Sequence, residues 1–320
     1  MNKFRAFFVV VLVLISFKTF ACLNGDTKLL TNGFEIYHDD HKVVPLGHEF
    51  HVDNFPKLIA ELESEYKKTG NIDYLSDKGY ILIIQRKYDE ALKLYLNIEK
   101  IKPNRYSTAS NIGTLYELMG ENEKAYDWIK KSIQINPESH NGSEWLHLKI
   151  LDAKIKNLKD VSGAFLIETT FGLEKNPKTK LSPEELEILR MALYYQLNER
   201  ITFIKPKDQI ISVLLFELGN IAKINKDDLS ATEIYELSKK YGFQNELINN
   251  RIISCYEDKL NYWTSEVEKL ELKKGSEFDL DGRQLDALVI TLSFLSLILM
   301  IVSIVLFIKW RRLKKAIAAS

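Results

Sequence analysis

Apolar side chains recur at three- and four-residue intervals through most of the chain, a spacing that lays them on one face of a helix after another. Leu58, Ile59, Leu62 and Tyr66 make one such face; Asn54 or Asp53 caps it and Gly70 stops it, predicting a helix from about Phe55 to Lys68. Four more helices are predicted at Asp73 to Gln85, Asp89 to Ile101, Ser107 to Met119 and Glu123 to Ile135. A sixth, Gly142 to Lys156, is unusually apolar. The polar linker 172–180 precedes Ser182, Pro183 and Glu185, a capping box with proline at the first helical position. A long helix therefore starts there, continues through Leu186, Leu189, Leu193 and Leu197, and stops before Pro206. Leu247 to Leu272 is again helical. Residues 22–53 differ: Phe34 to Tyr37 and Lys42 to Val44 are short β-favouring runs around His38 to His41, which predicts a small hairpin with a four-residue turn. Apart from that hairpin the expected fold is all-α.

Two of the helical pairs are one unit written twice. Gly79, Ala91, Tyr95 and Pro103 in residues 72–104 are answered by Gly113, Ala125, Ile129 and Pro137 in residues 106–138; only Tyr88 lacks its aromatic counterpart, Asn122 standing there. The small residues allow two helices to cross closely, the large one fills the space beside the crossing, and the proline ends the second helix. A 34-residue period of this composition resembles the tetratricopeptide repeat. The resemblance implies an α-solenoid of helical hairpins, with the helix 142–156 covering the end of a repeat domain spanning 54–171. A weaker copy fits 212–244, within a second helical region at 181–274: Leu218, Gly219, Ala231, Tyr235 and Ser238 keep the offsets of Ile112, Gly113, Ala125, Ile129 and Ser132, with Phe243 in place of the closing proline.

Both ends carry signals of another kind. Lys3 and Arg5 precede an apolar run from Ala6 to Phe17, with small residues before a cut after Ala21, so residues 1–21 are an expected export signal. Cys22, next to the cut, raises a lipid-anchored alternative that Thr19 and Phe20 fit poorly; it also leaves a disulfide with Cys255 open. Ala287 to Ile308 is uncharged for 22 residues, about 33 Å as a helix and enough for a bilayer core of roughly 30 Å. The expected transmembrane helix, 285–308, follows a spacer at 275–284 that carries Glu277, Asp279 and Asp281, and precedes a tail, 309–320, with Lys309, Arg311, Arg312, Lys314 and Lys315. That asymmetry puts the tail in the cytoplasm and the repeats outside it, in a single-pass membrane protein.

Charge and motifs narrow the function classes. The 320 residues balance to zero formal charge, but Cys22 to Leu285 carries 43 acidic against 36 basic residues, opposite to the sign a nucleic-acid binder concentrates on one face. No GxSxG, phosphate loop, dinucleotide fingerprint or paired catalytic cysteine and histidine occurs, so neither an enzyme nor a cofactor is expected. The resemblance instead implies a surface for a protein or peptide partner on the first-helix side of the repeats. Carried onto this sequence, that inner face holds Asp73, Ser76, Asp77, Tyr80 and Ile84, then Ser110, Asn111, Thr114 and Glu117, then Asn141, Glu144 and Leu148. Of the cationic and amide groups with which some members of the family grip a terminal carboxylate only Asn111 is present, and the face is acidic, suited to a basic or neutral partner. The alternative is a metal-binding or sensor role for His38, His41, His48 and His51, spaced as two H-x-x-H pairs among Asp39, Asp40, Glu49 and Asp53; the competing reading of these is a solvated loop.

Overall fold

The computed structural model describes residues 27–39 and 43–277, with isolated positions between 290 and 300. It is mostly helical. The expected signal, Cys22, His41, the basic tail and nearly all of 285–308 lie outside the described residues, among which no helix is long and apolar enough to cross a membrane. The chain divides into two compact units, 1–259 and 260–320, and the elements below belong to the first except where the last helix runs on.

A two-stranded antiparallel sheet opens the described chain, β1 (Thr27–Leu29) pairing with β2 (Glu35–His38). The hairpin exists, but not where the β-favouring runs put it. Its turn is Thr31-Asn32-Gly33: Gly33 takes a left-handed φ of 83°, its N–H donates to Leu30 O at 2.8 Å, and Phe34 N–H donates to Asn32 Oδ1 at 3.1 Å. Asn-Gly is the stronger turn signal because both residues tolerate positive φ, and it pulls the pairing to the N-terminal side of β2. Val43 and Val44 lie in a bend instead of a strand.

The helices follow in chain order: α1 (Phe55–Thr69), α2 (Asp73–Ile84), α3 (Tyr88–Ile101), α4 (Tyr106–Leu118), α5 (Asn122–Ile135), α6 (Glu144–Ile155), the short α7 (Gly163–Ile167), α8 (Pro183–Phe203), α9 (Gln209–Ile224), α10 (Asp228–Tyr241) and α11 (Glu246–Glu277). Caps match the sequence signals. Asn54 Oδ1 accepts from Lys57 N at 2.9 Å, Gly70 closes α1 in a left-handed conformation, and Ser182 and Glu185 complete the capping box of α8. The last helix reaches Glu277, into the stretch expected to be a spacer.

Three hairpins, α2–α3, α4–α5 and α9–α10, share one crossing. A Cβ on Gly79 would sit 2.6 Å from the Tyr95 ring, one on Gly113 2.5 Å from Ile129 Cδ1, and one on Gly219 2.6 Å from the Tyr235 ring. Each glycine is thus where the large residue of the second helix lies. Tyr95 and Tyr235 are fully buried and keep their hydroxyls satisfied, Tyr95 donating to Ser76 O and Tyr235 to Asn220 Oδ1, both at 2.8 Å. The residue-212 copy therefore folds as a third repeat, with Phe243 stacked on Phe216 at 4.3 Å where a proline would close the unit.

α6 does not end the stack. Its Leu151 joins Ala125 and Ile129 of α5, while Leu146, Ile150 and Ala153 enter the large core built from α7, α8, α9 and α10. A second core lies under α1 to α4 and takes in Leu30, Ile36 and Tyr37 of the hairpin and Phe203 from the end of α8.

Gly113→Ala tests the crossing. At an uncrowded helical site alanine stabilises by up to about 1 kcal/mol, but here the added methyl overlaps Ile129, and a loss of about 1–3 kcal/mol is expected from overpacking. Urea denaturation of the variant reads the sign directly; a gain in stability would show that the helices do not meet at this point.

Candidate functional site: the inner face of the repeats

The chain covers most of the residues expected to form the partner face with its own residues. α2 presents Asp73, Asp77 and Tyr80, α4 presents Asn111, Thr114 and Glu117, and α6 presents Glu144, all on the side that the first helices share. The hairpin lies over α2: Thr31 N–H donates to Asp77 Oδ2 at 2.6 Å, and Lys28 Nζ stands 5.6 Å from the centre of the Tyr80 ring. Asp73 forms an ion pair with Arg105 at the start of α4, which ties the first two repeats together. Asn111 donates to the Tyr95 hydroxyl at 2.9 Å.

α8 occupies the rest. Arg200 Nη2 reaches Glu117 Oε2 at 3.1 Å, Gln196 Nε2 donates to Ser143 Oγ at 3.0 Å, and Gln196 and Arg200 line a cavity of about 40 Å³ with Ser110, Asn111, Thr114 and Glu117. That volume holds one or two waters and no peptide. Asp77, Tyr80, Asn111, Glu117 and Glu144 are buried, and Thr114 is half-buried. As folded, these residues recognise the chain itself.

The electrostatics explain why α8 stays. Burial alone would raise the carboxyl of Glu117, but Arg200, Lys154 and His147 surround it and hold it well below the ordinary value. Its oxygens receive Lys154 Nζ at 2.7 Å and His147 Nε2 at 2.6 Å. The other His147 nitrogen faces Glu144 Oε2 at 3.0 Å. Glu144 also meets His140 and Ser110 Oγ, and it too is held below the ordinary carboxylate range although burial opposes this.

The histidine loop is absorbed into the same packing. His48 stacks on Tyr37 with ring centres 3.9 Å apart, and its Nε2 lies 3.0 Å from Glu199 Oε1 on α8. Gly47 N–H donates to Asn198 Oδ1 at 2.8 Å, and Asn198 and Tyr194 donate to Asp39 at 2.9 and 3.0 Å. His51 N–H donates to Ile36 O. Among the described residues no group of three or more histidine, cysteine, aspartate or glutamate side chains is arranged to hold a metal ion, so His38, His48 and His51 do not form the expected site, and His41 lies outside the described residues. His38, His48 and His51 line one cavity with Asp39 and Glu49, and His48 is engaged there by Tyr37 and Glu199.

The inner face of the third repeat borders a wider cavity, although its residues are buried too and Gly163 of α7 lies over Glu217. With Gly219 laid on Gly113, Phe216, Glu217 and Asn220 fall on Ser110, Asn111 and Thr114, and they line a cavity of about 730 Å³ with Gln209, Val213 and Phe243. Glu217 Oε2 accepts from Asn220 Nδ2 at 2.9 Å, and Gly163 lies so close that a Cβ there would strike the carboxylate. Burial pushes the Glu217 carboxyl up to about 7. Sequence reasoning passed over this face, and over Gln196, Asn198, Glu199 and Arg200. One signal for α8 was legible: its buried positions, from Leu186 and Leu189 through Gln196, Asn198 and Arg200, leave no polar stripe, as expected of a helix enclosed on most sides.

The hairpin geometry makes the chain a TPR-like helical repeat protein. No protein-family model and no curated protein sequence matches it. Solved structures similar to it include that of a MamA protein, at 18% identity and a TM-score of 0.27 over 65% of this chain and 96% of that one. PilF of Pseudomonas aeruginosa gives 14% identity and 0.34 over 73% and 90%. A tetratricopeptide repeat protein from Parabacteroides merdae gives 15% and 0.27 over 63% and 92%. At such scores the likeness carries no argument about function, and the fold rests on the chain's own crossings.

Glu117→Gln leaves Arg200 and Lys154 short of a counter-charge, and a loss of about 3–5 kcal/mol is expected at neutral pH, as for a broken buried pair. A carboxyl lowered by folding contributes stability that is complete above its unfolded value, near 4.5, and that is lost as pH falls toward the folded value. Denaturation midpoints from pH 7 to pH 3 will therefore fall less steeply below 4.5 in the variant than in the parent; parallel curves would contradict the assignment.

Proposed function

We propose that the chain is a non-enzymatic interaction protein, tethered to a membrane by residues 285–308 with its repeats on the extracytoplasmic side, that binds a protein or peptide partner. The observation that carries the binding reading is the contrast between two equivalent faces. In the second repeat the inner face is filled by α8, whose Arg200 stands opposite Glu117; in the third repeat the corresponding residues, themselves buried, border a cavity of about 730 Å³. The cavity combines the apolar walls of Val213, Phe216 and Phe243 with the buried carboxylate of Glu217 and the amide of Asn220, a surface for an apolar segment bearing a cation or amide. Support for the tether is the uncharged run Ala287 to Ile308 between acidic and basic flanks, and support for export is the apolar N-terminal run.

The test uses the full chain in intact cells. Protease added outside is expected to digest the repeats without permeabilising the membrane, and a photocrosslinker at Gln209 is expected to capture a discrete protein that the same group at Glu236, on the outer side of the third hairpin, does not. Repeats protected until the membrane is opened would overturn the compartment. Equal capture from both positions would overturn the use of the third-repeat face.

A further inference from the structure

We infer that α11 pairs with α11 of a second copy of this chain, side by side and in parallel, through a seam formed by Ile253, Tyr256, Leu260, Trp263 and Val267. These five are 49 to 67% exposed, on a single helix, and every residue from Tyr256 to Thr264 is exposed. Their spacing alternates three and four, which is the a/d repeat of a two-helix coiled coil and differs from the wider stripe of a helix lying on a globular core. In sequence Leu270 takes the next position of the series.

The opposite side of the same helix is already used. Arg251, Ser254 and Cys255 are buried, Arg251 Nη2 donates to Gly172 O at 2.6 Å, and Lys223 Nζ of α9 reaches Ser254 O at 3.3 Å and Asp258 Oδ2 at 2.5 Å. None of these residues is at an a or d position. As far as Asp258 the helix has one face committed to the third repeat; from there to Thr264 it is exposed all round, and the seam, with Tyr262 beside it, leaves to water a leucine, a tryptophan and a valine that a stable extracellular helix would not leave uncovered without cause.

Two points identify the occupant as a second copy. A heptad seam is self-complementary, so the same residues serve both partners about a two-fold axis. The helix also runs toward residues 285–308; if these are the tether proposed above, every copy stands in the membrane with the same polarity, and confinement to one surface raises the effective concentration enough to hold a seam of only about two heptads.

Single cysteines at positions 260, 263 and 267, with 261, 265 and 268 as controls on the other faces, test this in the full chain in native membranes, in a Cys22→Ser background. Cys255 can stay, because it is buried and burial pushes its thiol up to about 11. Mild oxidation is expected to give disulfide-linked homodimers at 260, 263 and 267 and several times less at the controls. Dimers with no such periodicity, no dimers, or dimers at one seam position alone, as an antiparallel pair would give, overturn the proposal. Alkaline carbonate extraction separates this from failure of the tether. A chain that washes off the membrane refutes the tether, whereas a chain retained without seam disulfides refutes the pairing.

Discussion

A carboxylate removed from water has to be supplied with cations and donors, and Glu117 draws on two helices: Lys154, with the His147 ring, on α6, and Arg200 on α8. Glu117 itself sits on the first helix of the second repeat, so its contacts with Lys154, His147 and Arg200 join that repeat to the helix after it and to the long helix that follows the linker. Removing any one of the cations would leave buried charge unbalanced, which costs more than the pair contributes when intact. The arrangement fixes α8 against the inner face as a matter of electrostatics, and Gln196, Phe203 and the loop around His48 follow from that placement.

The repeats supply the frame. Three glycines at the crossings let paired helices approach until the tyrosine or isoleucine opposite is fully enclosed, and the hydroxyls of Tyr95 and Tyr235 are satisfied inside the hairpins. What differs between the copies is the inner face. Ser110, Asn111 and Glu117 meet a helix of the same chain, whereas Phe216, Glu217 and Asn220 border a wider cavity.

Much of this was legible in the residues. The glycine, alanine and proline spacing located the hairpins, including the third copy without its proline, because a steric requirement at a crossing leaves a fixed mark on the sequence. The capping box at Ser182 located the start of α8 for the same kind of reason. Where α8 would go was not legible, since it depends on pairing between Arg200 and Glu117 across distant parts of the chain, which leaves no periodicity. The burial of Asp77, Asn111, Glu117 and Glu144 came from elements that local reasoning could not dock. The hairpin shifted because Asn32-Gly33 outweighs the β preference of the run at residues 42–44, and the engagement of His48 by Tyr37 and Glu199 depends on partners that spacing within the loop does not reveal.

The central claim is that Glu117 and Arg200 bind α8 to the inner face as a coupled pair. The most direct measurement is a double-mutant cycle on the stability of the chain, using Glu117→Gln, Arg200→Gln and both together. A pair in direct buried contact predicts a coupling within the range of about 0.5–3 kcal/mol and toward its upper end. Effects that simply add, within about 0.3–0.5 kcal/mol, are those of sites that do not touch, and would contradict the docking of α8.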